Sequence, residues 1–120
     1  MYVLDFAPNA DDIQFHFTQG TTDFGTINET ANISVANLKT IGWLGCLKQD
    51  ADQGVSGHLD EAKAHQVFGL TGTGEQPPHI LLQAAGGSSD VYVSGIITSG
   101  TTPTYAADDM RLIFHIEYID

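Results

Sequence analysis

Residues 13–18 have the sequence IQFHFT, and this stretch decides the fold class. Its apolar residues Ile13, Phe15 and Phe17 alternate with polar residues, so they recur at every second position. Successive side chains of a β-strand point to opposite faces of the sheet, whereas a helix repeats about every 3.6 residues. The stretch therefore predicts a strand with one buried face and one solvent-facing face.

Segments on both sides of this strand carry related patterns. Residues 2–6 precede it as a short strand, and residues 24–27 follow it as a weaker one. Towards the C-terminus, further strands are predicted over residues 78–84, 91–98 and 112–119, separated by loops rich in Gly, Ser and Thr. Short strands spaced about ten residues apart are typical of all-β proteins. We predict an all-β fold with room for one short helix, built as a compact β-sandwich or jelly-roll-like barrel.

The middle of the chain is harder to assign. Residues 34–47 combine β-branched side chains with Gly42 and Gly45, which favours a strand over residues 38–48 instead of a helix. Residues 59–68 (LDEAKAHQVF) contain the helix-forming residues Ala, Glu and Lys and predict the one short helix of the fold. They also fit a loop that ends in a strand at residues 66–70.

The chain of 120 residues has the length of one domain, and no linker divides it. We therefore predict a single β-rich domain over residues 1–120. Cys46 is the only cysteine, so an intrachain disulfide is excluded and packing must hold the fold together. No apolar run approaches the ~20 residues that a membrane-spanning helix needs. The N-terminus also lacks the basic segment of a secretion signal.

The charge balance is strongly acidic. Fifteen Asp and Glu residues against four Lys and Arg residues give a net charge of −11. Four scattered cations cannot neutralise a phosphate track or hold an anionic membrane surface, so we expect neither partner. Three explanations remain open for the acid excess: solubility, a salty natural environment that screens the charge, or a basic or metal-bearing partner.

Residues 50–61 (DADQGVSGHLDE) partly resemble a calcium-binding loop of the EF-hand type. Asp50, Asp52 and Glu61 occupy the first, third and twelfth positions, where such a loop places carboxylate ligands. Val55, however, stands at the sixth position, where the sharp turn of the loop needs a glycine. An ordinary surface loop also explains the segment, and we assign no calcium ligand.

The histidines raise a second metal hypothesis. His58 and His65 are seven residues apart and flank Glu61, so on a helix the three side chains would share one face. The zinc-peptidase motif instead places its two histidines four residues apart. His16 and His115 lie in alternating strands, where each is expected to pair with a neighbouring side chain. We therefore expect no metal and no cofactor.

Motifs for nucleophilic catalysis and phosphate binding are missing from the sequence. No serine lies in a G-x-S-x-G motif, and the glycine-rich residues 69–74 lack the Gly-Lys-Ser/Thr ending of a phosphate-binding loop. Cys46 lies among apolar residues, which favours a buried, unreactive thiol. We predict that the protein is not an enzyme, and we assign no catalytic residue.

The general pattern of the chain resembles the small decoration or cement proteins on the capsids of bacteriophages and archaeal viruses. The resemblance lies in length, acidic composition and strand rhythm, and it carries over no residue roles. It implies a structural virion protein, located on the capsid surface and made in the host cytoplasm. It also implies a homo-oligomer, with a trimer favoured, that binds the major capsid protein and stabilises the shell between capsid subunits.

The predicted contact segments are the terminal strands, residues 1–6 and 111–120. Each has little charge on at least one face, and a terminal strand is readily added to a neighbour's sheet.

An alternative function is a carbohydrate- or ligand-binding β-sandwich. Trp43 and the four tyrosines could stack on a sugar, with calcium held by Asp50, Asp52 and Glu61. A third hypothesis is a small enzyme with a site around His58 and His65.

Overall fold

Regular secondary structure in the described residues is mostly β-strand with one short helix, as the sequence predicts. The computed structural model describes residues 2–6, 12–21, 24–25, 31–49, 63–66, 68–69, 80–98 and 104–119. In chain order the elements are β1 (Tyr2–Asp5), β2 (Ile13–Thr18), α1 (Val35–Ile41), β3 (Trp43–Gln49), β4 (Lys63–Gln66), β5 (Phe68–Gly69), β6 (Tyr92–Ile97) and β7 (Met110–Ile113).

The described strands form two antiparallel sheets. One sheet has the order β4-β1-β7, and the other has the order β5-β3-β2-β6. β1 therefore lies at the centre of its sheet, and β2 lies in the interior of the other. β6 and β7 are edge strands.

The core is built from the alternating residues that defined β2. Ile13, Phe15 and Phe17 are almost fully buried, and they cluster with Leu47 of β3 and Val3 of β1. Met110 and Leu112 of β7 pack against this cluster from the sheet that contains β1. Burying these side chains removes apolar surface from water, which is the dominant favourable term in folding.

Three strand predictions are confirmed. The stretch over residues 13–18 forms β2, residues 2–5 form β1, and residues 92–97 form β6. The alternation of β2 is visible in its burial, because its apolar side chains are buried and those of Gln14 and His16 are half-buried. The loop predicted between residues 85 and 90 is also found, with a turn at Gly86 and Gly87.

The predicted strand over residues 38–48 is wrong in its first half. Residues 38–41 belong to α1, and the strand begins only at Trp43. The side chain of Ser34 caps α1 by accepting a hydrogen bond from the Asn37 N–H, and Gly42 ends it in the left-handed conformation (φ 65°). Gly42 was thus the signal for a helix end, and a Cβ there would overlap Gln19.

The helix predicted over residues 59–68 is also wrong where the structure describes that segment. Residues 63–66 form β4, which pairs with β1, and residues 68–69 form β5, which pairs with β3. Tertiary pairing here outweighs the helix propensity of Ala and Lys, which amounts to a few tenths of a kcal/mol per residue. The alternative, a loop that ends in a strand near residues 66–70, agrees better with the structure.

Two further strand predictions fail for the described residues. Residues 80–84 and residues 24–25 lie outside regular secondary structure. The carbonyl of Gln83 accepts a hydrogen bond from the side chain of Gln19, and Ile80 packs against the core. The segment at residues 80–84 thus contacts both the core and a neighbouring turn without joining either sheet.

The last predicted strand is shorter than its pattern. Alternation runs through residues 112–119, but β7 ends at Ile113. The reason lies in the register, because Ile113 is opposite Tyr2, which is the first residue of β1. The described register gives no partner beyond Ile113, and residues 114–119 lie outside the sheet.

No helix in the described part of the chain combines the length and apolar character that crossing a membrane requires.

The core makes a direct stability prediction. Replacing Phe15, which is buried at the centre of β2, by alanine should lower the free energy of unfolding by about 3–5 kcal/mol through lost burial and a residual cavity. The same substitution at Phe6, which is exposed, should cost about 1 kcal/mol or less. Urea unfolding of Phe15→Ala and Phe6→Ala measures both, and equal losses would contradict this account of the core.

Candidate functional site

Most of the residues considered as metal ligands in the sequence lie outside the described part of the chain. Asp50, Asp52, His58 and Glu61 lie outside the described residues. His65 lies in β4, opposite Val3 of β1. Among the residues that the structure describes, no group of three or more His, Cys, Asp and Glu side chains is placed to hold a metal ion.

A polar and aromatic cluster lies instead on the outer face of the four-stranded sheet, opposite the core. Its position follows from β2, whose even-numbered residues point away from the core. The register places Cys46 directly opposite His16 and Trp43 opposite Thr18. We call Gln14, His16, Phe24, Trp43 and Cys46 the outer-face cluster.

His16 is the centre of the outer-face cluster. Its Nδ1 accepts a hydrogen bond of 3.2 Å from the indole Nε1–H of Trp43. Its Nε2 lies 3.3 Å from Oε1 of Gln14 and 3.7 Å from Sγ of Cys46. The ring of Phe24 lies over His16 with the two centroids 5.5 Å apart.

These contacts fix the protonation state of His16. An indole N–H is only a donor, so Nδ1 must present its lone pair, and the ring proton of the neutral imidazole lies on Nε2. Nε2–H can then donate to Gln14 Oε1 or to Cys46 Sγ. Burial beneath the neighbouring side chains lowers the pKa of His16 below its ordinary value of 6.5, which favours this neutral form.

The same geometry argues against a catalytic Cys–His pair. A general base must offer a lone pair to the thiol, but the Nε2 that faces Cys46 carries the proton. Cys46 is buried, its S–H donates to the carbonyl of Leu47, and burial raises the pKa of its thiol from 9.0 to about 11. The arrangement keeps the sulfur as a thiol, in line with the expectation of an unreactive cysteine.

The exposed part of the outer face is aromatic. Trp43 and Tyr92 both lie opposite Thr18, one on each neighbouring strand, so the three share one row across the sheet. Thr18 is small and buried, whereas both aromatic side chains are partly exposed. Because Trp43 is tied to His16 through its N–H, one face of its ring is held at the surface. The row offers two rings for stacking a planar or sugar-like ligand.

A second surface is formed by residues 114–119, which we call the C-terminal tail. Its sequence is FHIEYI. Phe114 contacts the core, because its ring lies edge-on to that of Phe17 at a centroid distance of 6.2 Å. The exposed fractions of Ile116, Tyr118 and Ile119 are 65%, 92% and 83%. Such contiguous exposure of large apolar side chains marks an interaction surface.

The two predicted contact segments therefore differ in availability. The C-terminal one is exposed at residues 114–119, beyond β7. The N-terminal one is not at a free edge, because β1 is paired on one side with β4 and on the other with β7. Val3 of β1 is also fully buried. Lending β1 to a neighbour would require breaking both pairings.

Sequence reasoning located two members of the outer-face cluster, Trp43 and Cys46, without linking them. His16 was expected to pair with a neighbour, and it does. Gln14 and Phe24 were missed. The polar positions of the IQFHFT stretch gave a signal for Gln14, but Phe24 comes from a segment outside the sheet, which no local pattern connects to His16.

Comparisons of the chain with protein-family models, with curated proteins and with solved structures found no match. The outer-face cluster and the C-terminal tail are therefore the features of the described residues that bear on function.

The bond between Trp43 and His16 predicts a pH-dependent signal. Protonation puts a hydrogen on Nδ1, which then no longer accepts from the indole. Trp43 is the only tryptophan, so its fluorescence should stay constant above pH 6.5 and change as the pH falls through the lowered pKa of His16. The free energy of unfolding should decrease as the pH falls below 6.5. The unfolded chain takes up the His16 proton near pH 6.5, whereas the folded chain takes it up only at lower pH.

Two variants control this titration. His16→Gln should abolish the fluorescence transition, and His115→Gln, at an exposed position, should leave it in place. A transition centred above pH 6.5, or one that survives in His16→Gln, would overturn the assignment.

Cys46 gives a second prediction. At pH 8 a pKa of about 11 leaves about a hundredfold less thiolate than a pKa of 9.0. Ellman's reagent should therefore react with the native protein at least about a hundredfold more slowly than with the protein unfolded in urea. His16→Ala should not slow the native reaction further, whereas a slower reaction in that variant would reveal His16 as an activating base. Stability due to the protonated thiol should persist below pH 9 and decline as the pH rises towards 11.

Proposed function

We propose that the protein is a structural, self-associating subunit that decorates a virus capsid and stabilises the shell by binding between capsid subunits. The single observation that supports self-association is the C-terminal tail, with its strand-like alternation and its exposed Ile116, Tyr118 and Ile119. The acidic, strand-rich composition supports the capsid part of the proposal through the resemblance to decoration proteins.

We also propose that the two sheets pack face to face as a β-sandwich. Val3, Met110 and Leu112 come from one sheet, and they contact the buried side chains of β2 and β3 from the other. A sandwich suits a decoration role, because its sheet edges and terminal segments are at the periphery, where neighbouring chains can reach them.

The mechanism in this proposal is binding alone. A subunit that binds only the assembled shell stabilises that state by mass action, and no bond is made or broken. The protonated Cys46 and the neutral His16 fit a structural role, since the His16 ring of β2 contacts Trp43 and Cys46 of β3. The high negative charge suits a surface that faces solvent and repels non-specific association.

Light scattering of the purified protein at low and high salt tests the proposal. We expect a closed oligomer, with a trimer favoured, that persists or tightens as salt screens the charge of −11. The oligomer should then sediment with virus particles that display its capsid partner.

A monomer at every protein and salt concentration would overturn the assembly proposal. It would shift attention to the ligand-binding alternative, with the row of Trp43 and Tyr92 as the surface for a first titration with soluble glycans. A closed oligomer that does not sediment with capsids would retain self-association and remove the virion role.

A further inference from the structure

The C-terminal tail has the sequence pattern of a strand, but none of the described strands pairs with it. β7 pairs with β1, and the last pair of the register is Ile113 opposite Tyr2, the first residue of β1. Residues 114–119 therefore leave the sheet while the alternation of apolar and polar residues continues. A segment of this kind is suited to pair with a strand edge of another chain.

β6 offers an edge of matching length. It contains six residues, as the tail does, and no described strand pairs with its side opposite β2. Val93 and Ile97 lie opposite Phe17 and Ile13, on the face that β2 buries. Yet their exposed fractions are 40% and 37%, whereas those of Phe17 and Ile13 are both 3%. The apolar face of this edge strand is thus only partly covered.

The distribution of charged residues also favours contact between the tail and β6. β6 (YVSGII) contains no Asp, Glu, Lys or Arg, and Glu117 is the single acidic residue of the tail. Two copies of a chain with a net charge of −11 repel each other over most of their surface, so contact is favoured where acids are sparse. Edge strands are usually protected by charged residues or proline, and β6 contains neither. The free edge of β7, by contrast, carries Arg111, whose guanidinium lies 5.9 Å from the ring centroid of Phe6.

We propose that the C-terminal tail of one copy adds as a strand to the β6 edge of a second copy. This inference rests on the proposed self-association and names the surface that receives the tail. Backbone hydrogen bonds between the tail and β6 supply the attachment, and Ile116 and Tyr118 cover Val93 and Ile97 on the partner.

The proposed contact joins two different surfaces, so it is heterologous. Such a contact closes only as a ring, in which every copy gives its tail to one neighbour and receives a tail from the other. Each chain then buries apolar surface twice, once on the tail and once on β6. A cyclic trimer, the favoured state, satisfies this rule.

Three full-length double variants separate the roles. Ile116→Glu/Tyr118→Glu blocks the tail, and Val93→Glu/Ile97→Glu blocks the β6 edge. Val35→Glu/Leu81→Glu is the matched control, because it adds the same charge at two apolar side chains that are 68% and 73% exposed. We expect the control to form the wild-type oligomer and each blocked variant to be a monomer by light scattering. Circular dichroism and urea unfolding check that each variant folds.

Mixing the two blocked variants gives the decisive result. One retains a working tail and the other a working β6 edge, so an equimolar mixture should form a one-to-one heterodimer and nothing larger. A mixture that stays monomeric while both variants are folded overturns the assignment of β6. So does a β6 variant that still forms the wild-type oligomer, although self-association would then stand. A monomeric wild-type protein overturns both proposals.

Hydrogen exchange on the wild-type protein provides a test without substitutions, in case the β6 variant fails to fold. Backbone amides of residues 92–97 and 114–119 should exchange at least about tenfold more slowly at concentrations that favour the oligomer than on dilution. Protection of the tail without protection of residues 92–97 would show that the tail binds elsewhere and would overturn the inference.

Discussion

The structure depends on the burial of three side chains from one strand, Ile13, Phe15 and Phe17. Because they recur at every second position, a single strand can direct all of them into the core and leave Gln14, His16 and Thr18 on the other face. β3 and β6 are aligned to β2 by its backbone hydrogen bonds, and β1 and β7 supply the apolar side chains that close over it. The core and the outer-face cluster are thus two consequences of one alternation.

The outer-face cluster shows how a half-buried histidine can be structural. Trp43 donates to His16, His16 can donate towards Gln14 or Cys46, and the thiol donates to a backbone carbonyl. Each polar atom in this chain of contacts has a partner, which matters because an unsatisfied polar group in a partly dry environment costs about 1–3 kcal/mol. Gln49 provides the contrast, since its buried Oε1 finds no hydrogen-bond partner among the described residues.

Among the described strands, neither the tail nor the outer side of β6 has a pairing partner. The pairing of β7 with β1 extends to Ile113 opposite Tyr2, and no described strand pairs with the outer side of β6. A sheet that ends in this way exposes both backbone groups and apolar side chains, which native proteins usually cover or protect with charge. Assembly with a second copy would cover both exposed features through one kind of contact.

The sequence by itself determined what depends on local periodicity and composition: the strands β1, β2 and β6, the glycine-containing turn at residues 86–87, and the acidic character. Tertiary structure decided what depends on partners distant in sequence. Residues 63–66 are a strand because β1 pairs with them, in spite of their helix propensity. Residues 114–119 leave the sheet because β1 ends, in spite of their alternation. Phe24 joins His16 only in three dimensions. A local sequence pattern indicates which side chains of a strand are buried. Whether the strand joins a sheet depends on a partner strand that is distant in sequence.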